Sequence, residues 1–161
     1  LIITHTMNNF GEKQQPSKFP VMIQKAIEKD KEVTIHGESN GEIGSRSYIH
    51  SRNVADAILF ILKNTKPYSH QSLSIDRPDC YNIAGDKQLT NLEFAQLIAK
   101  LMGKELKYRL VSTHQSRPGH DLHYGLDDNK LKKLGWKSPV SFEESLANTI
   151  KWQSENKQWI E

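Results

Sequence analysis

The sequence predicts an α/β fold in which short strands alternate with helices. Three observations predict it. Brief runs rich in β-branched and aromatic residues recur along the chain, each too short for a helix. Between them lie segments whose apolar residues repeat at helical spacing. Two of those segments open with a capping-box pattern, Thr90-Asn91-Leu92-Glu93 and Ser141-Phe142-Glu143-Glu144.

In chain order, Leu1 to Thr4 reads as a strand. Pro20 sits where a helix can open, and Met22, Ile23, Ala26 and Ile27 then share one face. Val33-Thr34-Ile35 is a short strand, and Arg46 to His50 is another with Tyr48 as its aromatic member. Ser51 is a candidate cap for a helix with Val54, Ala57, Ile58, Ile61 and Leu62 inward. Lys63 to Asp79 is polar, carries two prolines and reads as a surface loop. Tyr81-Asn82-Ile83 is a brief strand stopped by Gly85. The helix after Thr90 should bury Phe94, Leu97, Ile98, Leu101 and Met102 and end at Gly103. Leu106 to Leu110 alternates as a strand does. The helix after Ser141 turns Phe142, Leu146 and Ile150 inward.

Composition narrows the function. A chain of 161 residues is long enough to bury a core. A net charge of +3 is too small to imply nucleic-acid binding by itself. The single cysteine, Cys80, excludes an internal disulfide. The most apolar run, Val54 to Leu62, contains Asp56 and is too short to span a bilayer, so no membrane partner is expected. No signal peptide is visible, and the cytoplasm is the expected compartment. The seven histidines are scattered and predict no metal site. The start at Leu1, directly in a strand, suggests a piece of a longer protein.

The segment richest in chemistry is Arg117-Pro118-Gly119-His120-Asp121. Arg117 offers a planar fork suited to phosphate, beside a stiff Pro-Gly turn and an imidazole at His120. A second motif invites a different reading. Gly37, Gly41 and Gly44 have the Gly-x-x-x-Gly-x-x-Gly spacing of a dinucleotide-binding loop. A phosphate cradle needs a helix immediately after it, whereas Arg46 to His50 reads as a strand. Glu38 and Glu42 would also repel a pyrophosphate. A hairpin is the expectation here.

The Arg117 to Asp121 run, followed by Tyr124, Asp127, Lys130, Leu134, Gly135 and Trp136, resembles the C-terminal part of nucleotide-sugar 4,6-dehydratases. These belong to the NAD-dependent epimerase/dehydratase family of the extended short-chain dehydrogenase/reductase superfamily. The resemblance covers nearly the whole chain, and it implies a set of substrate-binding residues. Asn8 lies in His5-Thr6-Met7-Asn8-Asn9-Phe10-Gly11-Glu12, which matches the family's Arg-x-x-Asn-x-Tyr-Gly-Pro with His5, Phe10 and Glu12 as departures. Lys18 follows from Pro16-Ser17-Lys18-Phe19-Pro20, one residue shorter than the family segment. His36 stands where the family has an aromatic residue near the nucleoside. Arg46 opens Arg46-Ser47-Tyr48-Ile49-His50 and matches an Arg that binds the diphosphate. Asn82 lies in Tyr81-Asn82-Ile83-Ala84-Gly85 and matches a residue reaching the nucleotide. Arg117 and His120 complete the set. Asn53 replaces a family Asp of structural role.

What the resemblance implies is a single nucleotide-sugar-binding domain over residues 1–161, the small C-terminal substrate-binding domain of a larger enzyme. The N-terminal NAD-binding Rossmann domain would be its partner, and the parent would be a homodimer. The substrate would be a dTDP- or UDP-hexose. In the parent, NAD takes hydride from C4 of the hexose, water leaves across C5 and C6, and the hydride returns to C6. The family's Tyr-x-x-x-Lys pair is absent: none of Tyr48, Tyr68, Tyr81, Tyr108 or Tyr124 has Lys four residues later. No catalytic or cofactor-binding residue is therefore expected in this chain, nor NAD bound by it alone. A nucleotide-sugar epimerase or decarboxylase domain, and a stand-alone nucleotide-sugar-binding module, remain as alternatives.

Overall fold

The computed structural model describes residues 1–38, 40–65, 78–112 and 122–159. Its strands are β1 (Ile2–Thr6), β2 (Asn9–Phe10), β3 (Val33–Gly37), β4 (Ser45–Ser47), β5 (Ile49–His50), β6 (Asp79–Ile83), β7 (Gln88–Thr90), β8 (Tyr108–Ser112) and β9 (His123–Tyr124). The helices are α1 (Phe19–Glu28), α2 (Ser51–Asn64), α3 (Asn91–Leu101), α4 (Asn129–Lys133) and α5 (Phe142–Glu155). The α/β class read from the sequence is the class found.

Strand pairing is mostly parallel and long-range. β1 runs parallel to β6, from Ile2 opposite Asp79 to Thr6 opposite Ile83. β2 pairs with β5, and β3 with β8, also in parallel. Parallel neighbours need a crossover, and α2 lies between β5 and β6 in the chain. The remaining sheet has the order β7-β4-β9, with β7 antiparallel and β9 parallel to β4.

Two apolar clusters result. One joins α1, α3 and α5 under β3, through Ile23, Ile27, Ile35, Phe94, Ile98, Phe142, Leu146 and Ile150, with Phe10 and Tyr48 between them. The other packs α2 and α4 on the β1–β6 pair, through Met7, Val54, Ala57, Ile61, Tyr81, Ile83, Leu131 and Trp136. Polar ties pin the second cluster. Trp136 Nε1 donates to Asp56 Oδ1 at 2.8 Å, and Asn53 Nδ2 donates to the Val140 carbonyl at 2.8 Å. Asn53 is thus a structural residue, as its position suggested.

The capping box at Thr90 forms in both directions with Glu93, and Ser141 Oγ accepts from the Glu144 amide. Gly103 follows α3 with a positive φ of 63°. Other details differ from the sequence reading. Ser51 does not cap α2; His50 does, its Nδ1 accepting from the Arg52 amide at 3.1 Å. A buried imidazole with a free lone pair serves there as a hydroxyl would. Leu62 faces solvent, because the buried face of α2 is the one that carries Asn53, Val54, Ala57 and Ile61. Met22 also faces outward, while Val21 and Gln24 turn into the core. In α3, Ala95 and Ala99 are buried and Leu101 is exposed, since close approach to neighbouring elements favours the small side chains. The single strand expected at 46–50 is two, β4 and β5, interrupted at Tyr48. Most of the loop expected over 63–79 lies outside the described residues, although α2 runs on to Asn64 and β6 starts at Asp79.

Candidate nucleotide-binding cavity

The glycine-spaced segment is a turn between strands. Gly37 bridges Ile43, the Glu38 amide donates to the Glu42 carbonyl at 2.7 Å, and Gly41 takes a φ of 86°. The chain then enters β4, not a helix, so no row of free amides is presented to a phosphate. Gly44 has a separate reason to be glycine. A Cβ there would stand 2.7 Å from the Leu122 carbonyl oxygen, which comes in close to serve β4.

That carbonyl organises the site. It accepts the Ser45 amide at 3.0 Å and Nη1 of Arg46 at 2.8 Å. The same Nη1 donates to the Ser45 carbonyl at 2.7 Å. Arg46 is 9 % exposed and lies with its guanidinium 5.9 Å from the Tyr124 ring centre. Two carbonyls thus fix the orientation of a planar guanidinium, the side chain whose fork of donors best matches a phosphate or carboxylate.

Arg46 lines a cavity of about 720 Å³ between α1 and the strands β3, β4 and β9. Asn8, Lys18 and His36 line it too, so four of the residues singled out in the sequence share one space. Along its other walls stand Phe19, Met22, Ile23, Ala26 and Val33 from α1 and β3. Cationic and amide groups therefore share the cavity with an apolar lining, an arrangement able to hold an anionic group joined to a flat ring. The outward turn of Met22, unexpected from periodicity, puts it in this lining.

Tyr48 also lines the cavity, and its sequence signal was only that of a strand aromatic. Its hydroxyl donates to Asn91 Oδ1 at 2.9 Å and its ring stacks on Phe94. Burial pushes its pKa well above the ordinary tyrosine value, against the opposing charge of Arg46, so it stays a neutral phenol. Tyr124 was read as part of a pattern, and the pairing of β9 with β4 brings it beside Arg46.

Asn82 does not line this cavity. Its Nδ2 donates to the Asp127 carbonyl at 2.7 Å, and its Oδ1 lies 3.3 Å from His5 Nδ1. Its place in β6 couples it to β1 and to the segment before α4, which is a reason to read it as a structural link. Arg117 and His120 lie in 113–121, outside the described residues.

The departures at residues 5–12 make their own arrangement. Phe10 is buried in the core, edge-on to His50 at 5.2 Å between ring centres. Glu12 accepts from His50 Nε2 at 3.3 Å and pairs with Arg52 at 2.8 Å. Burial holds the His50 pKa below the ordinary histidine value, outweighing the raising effect of Glu12.

A tyrosine and a lysine do meet in space, at Tyr81 and Lys130. The Lys130 ammonium sits 4.0 Å from the Tyr81 ring centre and pairs with Asp79. It does not activate the phenol. Tyr81 donates to Asp79 Oδ2 at 2.7 Å, and burial together with that carboxylate pushes its pKa up to about 12. A general base needs the opposite shift. Ser45, His123 and Glu42 likewise form a chain, at 2.8 Å and 2.8 Å, that sequence spacing did not reveal. Ser45 is buried, accepts from Gln88 Nε2 and is not in the cavity lining, so it offers no nucleophile there. Among the described residues, no cluster of three or more His, Cys, Asp or Glu side chains is placed to hold a metal, and no helix is long and apolar enough to cross a membrane.

No family model matches the chain. It is 29% identical over 162 residues to a dTDP-glucose 4,6-dehydratase of Streptomyces niveus, covering 100% of the chain and 44% of that protein. It is 31% identical to a trifunctional UDP-glucose 4,6-dehydratase/UDP-4-keto-6-deoxy-D-glucose 3,5-epimerase/UDP-4-keto-L-rhamnose-reductase of Arabidopsis thaliana, covering 99% of the chain and 22% of that protein. The crystal structure of DesIV, a dTDP-glucose 4,6-dehydratase from Streptomyces venezuelae with NAD and TYD bound, superposes with a TM-score of 0.79 at 28% identity, over 99% of the chain and 45% of that one. The chain thus spans less than half the length of each of these relatives.

Proposed function

We propose, from the premise that this chain is a dTDP-glucose 4,6-dehydratase-like polypeptide of the extended short-chain dehydrogenase/reductase superfamily, that it is the nucleotide-sugar-binding domain of a sugar-nucleotide 4,6-dehydratase. The observation that carries this reading is Arg46, a buried guanidinium fixed by two carbonyls on the wall of a cavity that Asn8, Lys18 and His36 also line. In this reading Arg46 and Lys18 compensate the diphosphate and Asn8 donates to it without adding charge. The wall of Phe19, Met22, Ile23, Ala26 and Val33 receives the nucleoside. Arg117 and His120 belong to the same proposed set, whereas the contacts of Asn82 support a structural part.

Binding of the non-reacting half of the substrate is used to orient the hexose. The described residues do not fit NAD, because the glycine-spaced turn leads into β4. The cofactor of the whole protein, NAD in this reading, would be held by a Rossmann domain elsewhere. The β1–β6 pair supports such a domain. Parallel sheets are usually covered on both faces, yet Ile3 on this pair and Leu59 and Leu62 on α2 are exposed. A second copy of the whole protein is part of the same proposal.

The test is product analysis of the full protein with dTDP-glucose and UDP-glucose. A 4-keto-6-deoxy-hexose product is expected from one or both. A C4-inverted hexose in its place would establish the epimerase alternative, and no product despite tight binding would favour a binding module.

A further inference from the structure

We infer that His123, held by Glu42, is a positioning residue for Arg46. The inference rests on the reading of Arg46 as the diphosphate ligand and adds how that arginine is aimed.

His123 follows Leu122, whose carbonyl takes both the Ser45 amide and Nη1 of Arg46. The place of that carbonyl is set by how β9 seats on β4. That pairing spans two residues, Ser45 opposite His123 and Arg46 opposite Tyr124. So short a ladder has little hold of its own, and the His123 ring reinforces it. Nδ1 of His123 lies 2.8 Å from Ser45 Oγ, and Nε2 lies 2.8 Å from Glu42 Oε1. Glu42 can only accept, so Nε2 carries a proton. With a neutral ring, Nδ1 then accepts from the Ser45 hydroxyl, whose oxygen accepts from Gln88 Nε2 at 2.7 Å. Every donor meets an acceptor along Gln88, Ser45, His123 and Glu42. The ring thereby ties β9 to Ser45 of β4 on one side and to Glu42, ahead of β4, on the other.

The Glu42–His123 pair is about half exposed on both sides. Such pairs add little to global stability. Its effect is local: it fixes the tautomer of one ring and through it the carbonyl that holds Arg46.

The experiment compares Glu42→Ala, Glu42→Gln and His123→Ala with the unaltered protein. Three readouts are needed: nitrogen NMR of the His123 ring, hydrogen exchange of the Ser45 amide, and the Kd for UDP and dTDP. In Glu42→Ala the Nε2–H signature should give way to a tautomer mixture and the Ser45 amide should exchange faster. The Kd should rise about three- to tenfold with little change in melting temperature. Glu42→Gln keeps an acceptor oxygen and should restore all three. His123→Ala should match or exceed Glu42→Ala. An unchanged ring signature, or a changed signature with unchanged Ser45 exchange, would overturn the inference. If the unaltered protein binds neither nucleotide, the proposed function fails, while the ring and exchange data still decide whether the clip exists.

Discussion

The rings of Tyr48 and Phe94 lie stacked, 4.0 Å between centroids and 8° from parallel. Phe94 is fully buried and also meets Phe10, Phe19 and Phe142. Tyr48 has one side on this aromatic core and its hydroxyl on Asn91 at the cavity wall. Tyr48 therefore belongs to both core and site. Phe94→Ala should cost about 3–5 kcal/mol of stability, whereas Tyr48→Phe, which loses one hydrogen bond, should cost about 1 kcal/mol. Urea unfolding of both variants checks this. Equal losses would show that the ring stack is not where the stability lies.

Gly85 and Gly44 are predicted to fail in different ways. A Cβ on Gly85 would fall 2.0 Å from the Tyr48 carbonyl oxygen, a backbone atom of the strand region beside it. Gly85→Ala should unfold or strongly destabilise the protein, read as a lowered melting temperature. A Cβ on Gly44 meets the Leu122 carbonyl at 2.7 Å. Gly44→Ala should push that acceptor off Arg46 and weaken nucleotide binding more than it lowers the melting temperature. The reverse order in Gly44→Ala would mean that Leu122 does not hold Arg46.

Acid should act in two stages. Folded His50 holds a proton less readily than the unfolded chain, because burial lowers its pKa from 6.5. Between its depressed value and 6.5, unfolding takes up a proton, so stability rises with pH and is lost on acidification. Glu42 and Glu93 are lowered from 4.5, by hydrogen bonds from His123 and from the Thr90 amide respectively. Their contribution is present above 4.5 and is lost as pH falls further through their folded values. Urea midpoints between about pH 2.5 and 8 should show both stages. His50→Gln should remove the upper one and leave the lower. An upper stage that survives in His50→Gln would assign it elsewhere.

Much of this was legible in the sequence, for physical reasons. The caps at Thr90 and Ser141 are local and so legible, although the full reciprocal box forms at Thr90 and only the serine half of it at Ser141. The glycine-spaced motif was rejected because the residues after Gly44 have strand character, and β4 does lie there. Asn8, Lys18, His36 and Arg46 were marked by resemblance and share one cavity. What the sequence hid is long-range. The clip of Ser45, His123 and Glu42 joins residues some eighty positions apart, through a two-residue strand with no periodic signal. The cap at His50 was missed because an imidazole caps a helix only when burial fixes its ring. Asn82 matched a pattern, and the contact of its Nδ2 with the Asp127 carbonyl, 45 positions away, has no local signal.

The central claim, that Arg46 binds the diphosphate of a nucleotide sugar in this cavity, is tested most directly by calorimetric titration of the Arg46→Ala protein with UDP and dTDP. A charge-assisted bond to phosphate is worth roughly 1.5–3 kcal/mol, so the Kd should rise about ten- to a hundredfold, with Arg46→Lys recovering only part. Arg52→Ala is the control. Arg52 pairs with Glu12 away from the cavity and should leave the Kd unchanged. An unchanged Kd in Arg46→Ala, with the fold intact by circular dichroism, would contradict the account.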